Sequence, residues 1–119
     1  MSIRAEDLAS IDFSDIAVPG ALLAPVSPGE VLMEEFLRPM GITQYRLAKE
    51  IGVSQRRIGE IVAGKRAVTA DTGLRLSRFF GLNDAFWTGL QADHDNAVAK
   101  TLLADVLAGI KPWPLQANA

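Results

Sequence analysis

The chain has 119 residues, 49% of them hydrophobic and 22% charged, with a formal net charge of −2 and no cysteine. That length suits one domain with a modest core, and the lack of cysteine excludes disulfides and thiolate zinc sites. No apolar run reaches the roughly 18 residues of a membrane span, and the opening "MSIRAEDLAS" lacks the apolar stretch of a signal peptide, so a cytoplasmic protein is expected.

Residues 1–26 show no sustained periodicity and predict an N-terminal arm, extended or partly ordered. Arg4 stands there against Glu6, Asp7, Asp12 and Asp15, a net −3. Helices begin at "SPGEVLMEEFLRPMG". Ser27 offers an N-cap, Glu30 completes a capping-box pattern, and Pro28 suits the first helical position. Met33, Phe36, Leu37 and Met40 recur at helical spacing and predict one inward face, with Pro39 and Gly41 as the stop. Thr43 caps a second helix, "QYRLAKEI", with Leu47, Ala48 and Ile51 inward and Gly52 at its end. Ser54 caps a third, "QRRIGEIVA", with Ile58, Ile61 and Val62 inward and Gly64 as the stop. Thr69 caps a fourth, "ADTGLRLSRFF", closed by Gly81. Asn83 is expected to cap a fifth, "DAFWTGLQAD", with Phe86, Trp87 and Leu90 inward. The last helix, "NAVAKTLLADVLAGI", sets Ala99, Leu102, Leu103 and Val106 on one face, widened by Leu107 and Ile110. No alternating strand pattern appears in residues 27–110. The expected fold is all-α: a five-helix domain over residues 27–95, an extra C-terminal helix and tail over residues 96–119, and the arm in front.

Function is concentrated in "TQYRLAKEIGVSQRRIGEIVAGKR". Arg46, Lys49, Arg56, Arg57, Lys65 and Arg66 stand there against Glu50 and Glu60, a net +4 in a chain that is acidic overall. Local field, not total charge, decides whether a face attracts phosphate. Ala48 is small enough for two helices to meet closely, Gly52 accommodates the turn, and Val53, Ile58 and Ile61 pin the second helix to the first. Together they predict a helix-turn-helix. The second helix of such a unit enters the major groove with its N-terminal residues leading. With Ile58 and Ile61 inward, Gln55, Arg56 and Glu60 are the expected base readers. Arginine matches the two acceptors of guanine and glutamine matches adenine. Glu60 either accepts from a cytosine amino group or orients Arg56. Thr43, Gln44, Ser54, Arg57, Lys65 and Arg66 are expected on phosphates, helped by the free N–H groups at the two helix starts.

Blander assignments suit the other conspicuous residues. Arg75 and Arg78 are expected to pair with nearby acids, and Glu34 and Glu35 to face solvent. Phe79, Phe80, Phe86 and Trp87 are expected in the core. His94, the single histidine, is expected at a helix end on the surface. With no cysteine and no glycine-rich phosphate loop, no catalytic constellation forms. Neither a metal, a cofactor nor a small-molecule ligand is expected. The last helix carries only Lys100 and Asp105 as charges, which predicts cover from a partner, either at a dimer seam or against another protein, with Trp113 as an anchor.

The stretch from "SPGEVLMEEF" through "GKRAVTADTGLRLSRFFG" to "FWTGLQADHD" resembles the HigA-type antitoxins, within the phage repressor-like helix-turn-helix superfamily. That resemblance implies a lambda repressor-like domain and a homodimer that binds operator DNA in its own promoter. It also implies a partner toxin, a RelE- or HigB-like ribonuclease neutralised by complex formation. Ser27 stands where the family commonly has histidine, and many members begin near the Pro-Gly-Glu, so residues 1–26 are a departure. An acidic arm carrying Leu8, Ile11, Phe13, Ile16, Leu22 and Leu23 suits wrapping a basic toxin. A stand-alone regulator without a toxin, or an interaction module that has lost DNA binding, shares the same motif.

Overall fold

Ser27 and Glu30 begin the ordered fold by satisfying each other's backbone. The Ser27 hydroxyl accepts from the Glu30 amide at 3.2 Å, and the Glu30 carboxylate accepts from the Ser27 amide at 3.1 Å. In the computed structural model, which describes residues 25–114, the helix that follows is α1. The arm is expected over residues 1–26, and its residues 1–24 lie outside the described residues, as do residues 115–119. Five further helices follow: α2 (Gln44–Ile51), α3 (Gln55–Val62), α4 (Ala70–Phe80), α5 (Phe86–Leu102) and α6 (Ala104–Gly109). The described residues contain no strand.

Helix α1 is not uniform. It is α-helical over Pro28–Val31, π-helical over Leu32–Leu37 and α-helical again over Arg38–Met40. Pro39 therefore lies inside the helix rather than ending it. In a regular α-helix its ring would strike the carbonyl of Glu35, and the wider π turn immediately upstream relieves that clash. The same under-winding overturns the expected apolar face. Phe36 and Leu37 are buried, but Met40 no longer returns to their side and is 52% exposed. Glu35 is likewise half-buried rather than solvent-facing, whereas Glu34 is exposed and pairs with Arg38 at 3.0 Å.

Thr43, Ser54 and Thr69 cap α2, α3 and α4 through their hydroxyls, as their types and positions predict. Asn83 does not cap α5. Its side chain accepts from the Ala85 amide at 2.8 Å, shaping the turn ahead of the helix, and the N-cap position is Ala85. The expected break between two helices near residue 95 is also absent. "ADHDNAVA" holds no glycine or proline, so α5 runs through it and breaks only at Leu103. His94 is consequently mid-helix and half-buried, not at a surface helix end.

The core lies where α1 crosses α3 and α5 and where α4 packs on α2 and α5. Trp87 is fully buried, with Phe36 at 5.1 Å and Phe86 edge-on at 5.1 Å between ring centroids. Phe80 stacks obliquely on Phe36 at 4.8 Å. Phe79, expected in this cluster, is 38% exposed because Leu76 and Phe80 already occupy the inward stripe of α4. Gly29 explains why the α1–α3 crossing is so tight: a Cβ there would sit 1.8 Å from the Ile61 carbonyl oxygen. This contact ties α1 to the far end of α3 and so fixes the tilt of the helix that carries the charged face.

Candidate nucleic-acid interface

Helices α2 and α3 meet at Gly52, whose φ of +75° is a conformation glycine adopts without penalty. The Gly52 and Val53 amides both donate to the Ala48 carbonyl, at 2.9 and 3.0 Å, which folds the chain sharply back. Ala48, Ile58 and Ile61 are buried beneath the turn. Gln55 and Arg56 are thereby held out on the opposite, exposed face of α3.

That outer face is organised by one carboxylate. Glu60 accepts from Arg56 Nε at 3.0 Å through one oxygen and from Arg66 Nε at 2.8 Å through the other. Hydrogen bonds from Arg66 and then Arg56 hold its carboxyl below the usual carboxylate range. Both Glu60 oxygens are engaged, and the two arginines are drawn together on this one carboxylate. The Arg56 side chain remains 86% exposed, so its guanidinium keeps donors free for an external acceptor. The closure by Arg66 is not at helical spacing and depends on how the chain leaves Gly64, where the Lys65 amide donates back to the Glu60 carbonyl at 2.8 Å.

The expected phosphate contacts fall into three groups. Lys65 and Arg66 are exposed beside the end of α3. Thr43 and Ser54 sit at the starts of α2 and α3, each hydroxyl accepting a backbone amide at 3.0 Å, from Arg46 and Arg57 respectively. Each hydroxyl proton is left for an external acceptor, next to the unpaired N–H groups of the first turn. Gln44 and Arg57 are turned inward instead. Gln44 Nε2 lies 3.9 Å from Met33 Sδ, and its oxygen faces Gly59. The Arg57 Nη1 donates to Thr72 Oγ1 at 3.4 Å and stands 3.7 Å from Asp71.

Arg75 and Arg78 pair with acids as expected: Arg75 with Asp71 at 2.7 Å, and Arg78 with Asp84 at 3.1 Å. The Asp84 carboxylate holds the Arg78 guanidinium above its ordinary pKa. Arg75 has a second role that its sequence context does not signal. Its Nη1 donates to the Ile51 carbonyl at 2.7 Å and to the Gly52 carbonyl at 3.4 Å, at the helix-turn-helix bend itself.

Among the described residues no group of three or more His, Asp or Glu side chains is placed to hold a metal ion. No described helix is long and apolar enough to cross a membrane. The arrangement is thus a short helix end-capped by serine, its apolar side anchored and its polar side presenting a glutamine and a guanidinium row. That matches a major-groove reader in donor chemistry.

A helix-turn-helix family model matches residues 33–87. The chain is 47% identical over 75 residues to virulence-associated protein I of Dichelobacter nodosus, covering 63% of this chain and 69% of that protein. It is 39% identical over 67 residues to antitoxin HigA-1 of Vibrio cholerae, covering 56% of this chain and 63% of that protein. It thus spans only about two thirds of the length of these relatives. Among solved structures, that of the Pseudomonas aeruginosa antitoxin HigA with the higBA promoter superposes with a TM-score of 0.70 at 34% identity, over 74% of this chain and 97% of that one.

Proposed function

The chain belongs to the HigA-type antitoxin family of helix-turn-helix proteins, and from that premise we propose that it binds an operator in its own promoter as a homodimer, represses transcription, and neutralises a RelE- or HigB-like ribonuclease toxin by direct binding. The observation that carries the DNA half is the outer face of α3. Gln55 and Arg56 lead the helix, and Glu60 aligns Arg56 with Arg66 while Ile58 and Ile61 anchor it from behind. In this reading Gln55 and Arg56 touch bases and Glu60 sets the approach of Arg56. Thr43, Gln44, Ser54, Arg57, Lys65 and Arg66 hold the backbone. Gln44 and Arg57 leave their inward partners to do so.

The homodimer is supported by the end of the chain. Leu102 is 78% exposed, Val106 59%, Ile110 63% and Trp113 81%, an apolar strip that water alone would not favour. We assign it to the seam with a second copy, because one monomer offers few phosphate contacts and two reading helices about 34 Å apart reach successive major-groove faces. The toxin then engages elsewhere, with the acidic residues 1–26 as its proposed contact.

Co-expression with the product of the adjacent gene tests both halves. A stable complex is expected to co-purify and to retard the upstream region on a gel in preference to random DNA. Retardation without co-purification would leave a stand-alone regulator, and the absence of both would defeat the proposal.

A further inference from the structure

Helix α4 lies outside the helix-turn-helix, yet two of its side chains reach into it. Arg75 Nε donates to Asp71 Oδ1 at 2.7 Å, one turn back along α4. From the same guanidinium, Nη1 crosses to the Ile51 carbonyl at 2.7 Å and the Gly52 carbonyl at 3.4 Å. Carbonyls at a helix C-terminus lack intrahelical donors, and a cation placed there also meets the negative end of the helix dipole. The fit is close: a Cβ on Gly52 would lie 3.2 Å from Arg75 Nη1. Asp71 faces a second cation as well, Arg57 in the first turn of α3, whose Nη1 stands 3.7 Å from it and donates to the neighbouring Thr72 hydroxyl at 3.4 Å. One carboxylate on α4 is therefore shared between the bend that ends α2 and the start of the reading helix.

We propose that Arg75 and Asp71 are positioning residues for DNA recognition: Arg75 fixes the α2–α3 bend through its carbonyl contacts, and Asp71 restrains Arg57 until a phosphate displaces it. The proposal rests on the DNA-binding reading above. Arg75 carries a fork geometry that can serve Asp71 and the carbonyls together, which a lysine ammonium on its flexible stem does not reproduce. A bend held less firmly leaves Gln55 and Arg56 free to swing relative to the phosphate contacts. Binding to any duplex then survives, and discrimination between duplexes suffers.

The test measures affinity for the operator and for random duplex DNA, with salt dependence, well below the melting temperature of each variant. Arg75→Ala is expected to lower the operator-to-random ratio about tenfold, the scale of one charge-assisted hydrogen bond. The slope of log affinity against log salt is expected to stay unchanged, because Arg75 itself holds no phosphate. Arg75→Lys should recover melting temperature more fully than it recovers the ratio. Asp71→Asn keeps an acceptor for Arg75 but releases the charge on Arg57, and is expected to strengthen random-DNA binding about threefold while lowering the ratio. A ratio within about twofold of wild type in both Arg75→Ala and Asp71→Asn overturns the proposal. So does a salt slope reduced by about one in Arg75→Ala, which would make Arg75 a direct phosphate contact. If wild type shows no operator preference at all, the DNA-binding reading fails and takes this inference with it. A preference that both variants leave intact defeats this inference alone.

Discussion

At the scale of single residues, Arg56 and Lys65 carry the same charge, and the proposed function assigns them separate roles. Arg56 projects from the leading turn of α3, bonded to Glu60, whereas Lys65 follows the end of the helix and is exposed. Arg56→Ala should therefore remove ~1–3 kcal/mol of discrimination at one base position and little elsewhere. Lys65→Ala should weaken all duplexes alike and reduce the salt slope by about one. Titration against operators substituted at each position separates the two, and equal losses at every position for both variants would contradict the division. The exposed and buried sides of α3 were legible because Ile58 and Ile61 declare the inward face by spacing alone. The closure of Arg66 on Glu60 was not, since it depends on a loop path that no helical period encodes. Nor was the inward turn of Gln44 and Arg57, because their partners Met33 and Asp71 come from other helices.

At the scale of elements, the four hydroxyl caps at Ser27, Thr43, Ser54 and Thr69 were readable because each is a contact with an amide three residues on. The π-helical stretch of α1 was not. It arises from a proline tolerated inside a helix, and a pattern that assumes a constant period placed Met40 on the wrong side. Helix α5 runs on through "ADHDN", where two helices are expected, because polar residues do not break a helix as glycine or proline does. Gly29 illustrates the opposite case, a residue whose reason appears only when two elements meet. A methyl group there would collide with backbone atoms of Ile61 and Val62, which cannot rotate away. Gly29→Ala should destabilise the fold by ~1–3 kcal/mol through forced separation of α1 and α3. Melting temperature should fall by roughly 4–8 °C per kcal/mol for a domain of this size. A melting temperature unchanged by the substitution would show that the crossing is looser than the geometry implies.

At the scale of the whole molecule, the domain and its C-terminal extension differ in kind. The domain buries Trp87 and its aromatic neighbours, while every described residue beyond Lys100 is exposed. The long axis of 53 Å, against 31 and 25 Å for the others, accords with an extension that leaves the domain. If the strip covers a second copy, Val106→Asp should yield monomers in sedimentation with helical content retained, and a persistent dimer would place the seam elsewhere. Dimerisation and DNA reading then become one property, because each copy supplies a single reading helix. Footprinting of the upstream region by hydroxyl radicals addresses that directly. Two protected stretches, appearing together and centred about one helical turn or roughly 10 base pairs apart, are the predicted result. A uniform, unprotected pattern in the presence of competing random DNA, or a single isolated stretch, would contradict a dimer that reads its operator through α3.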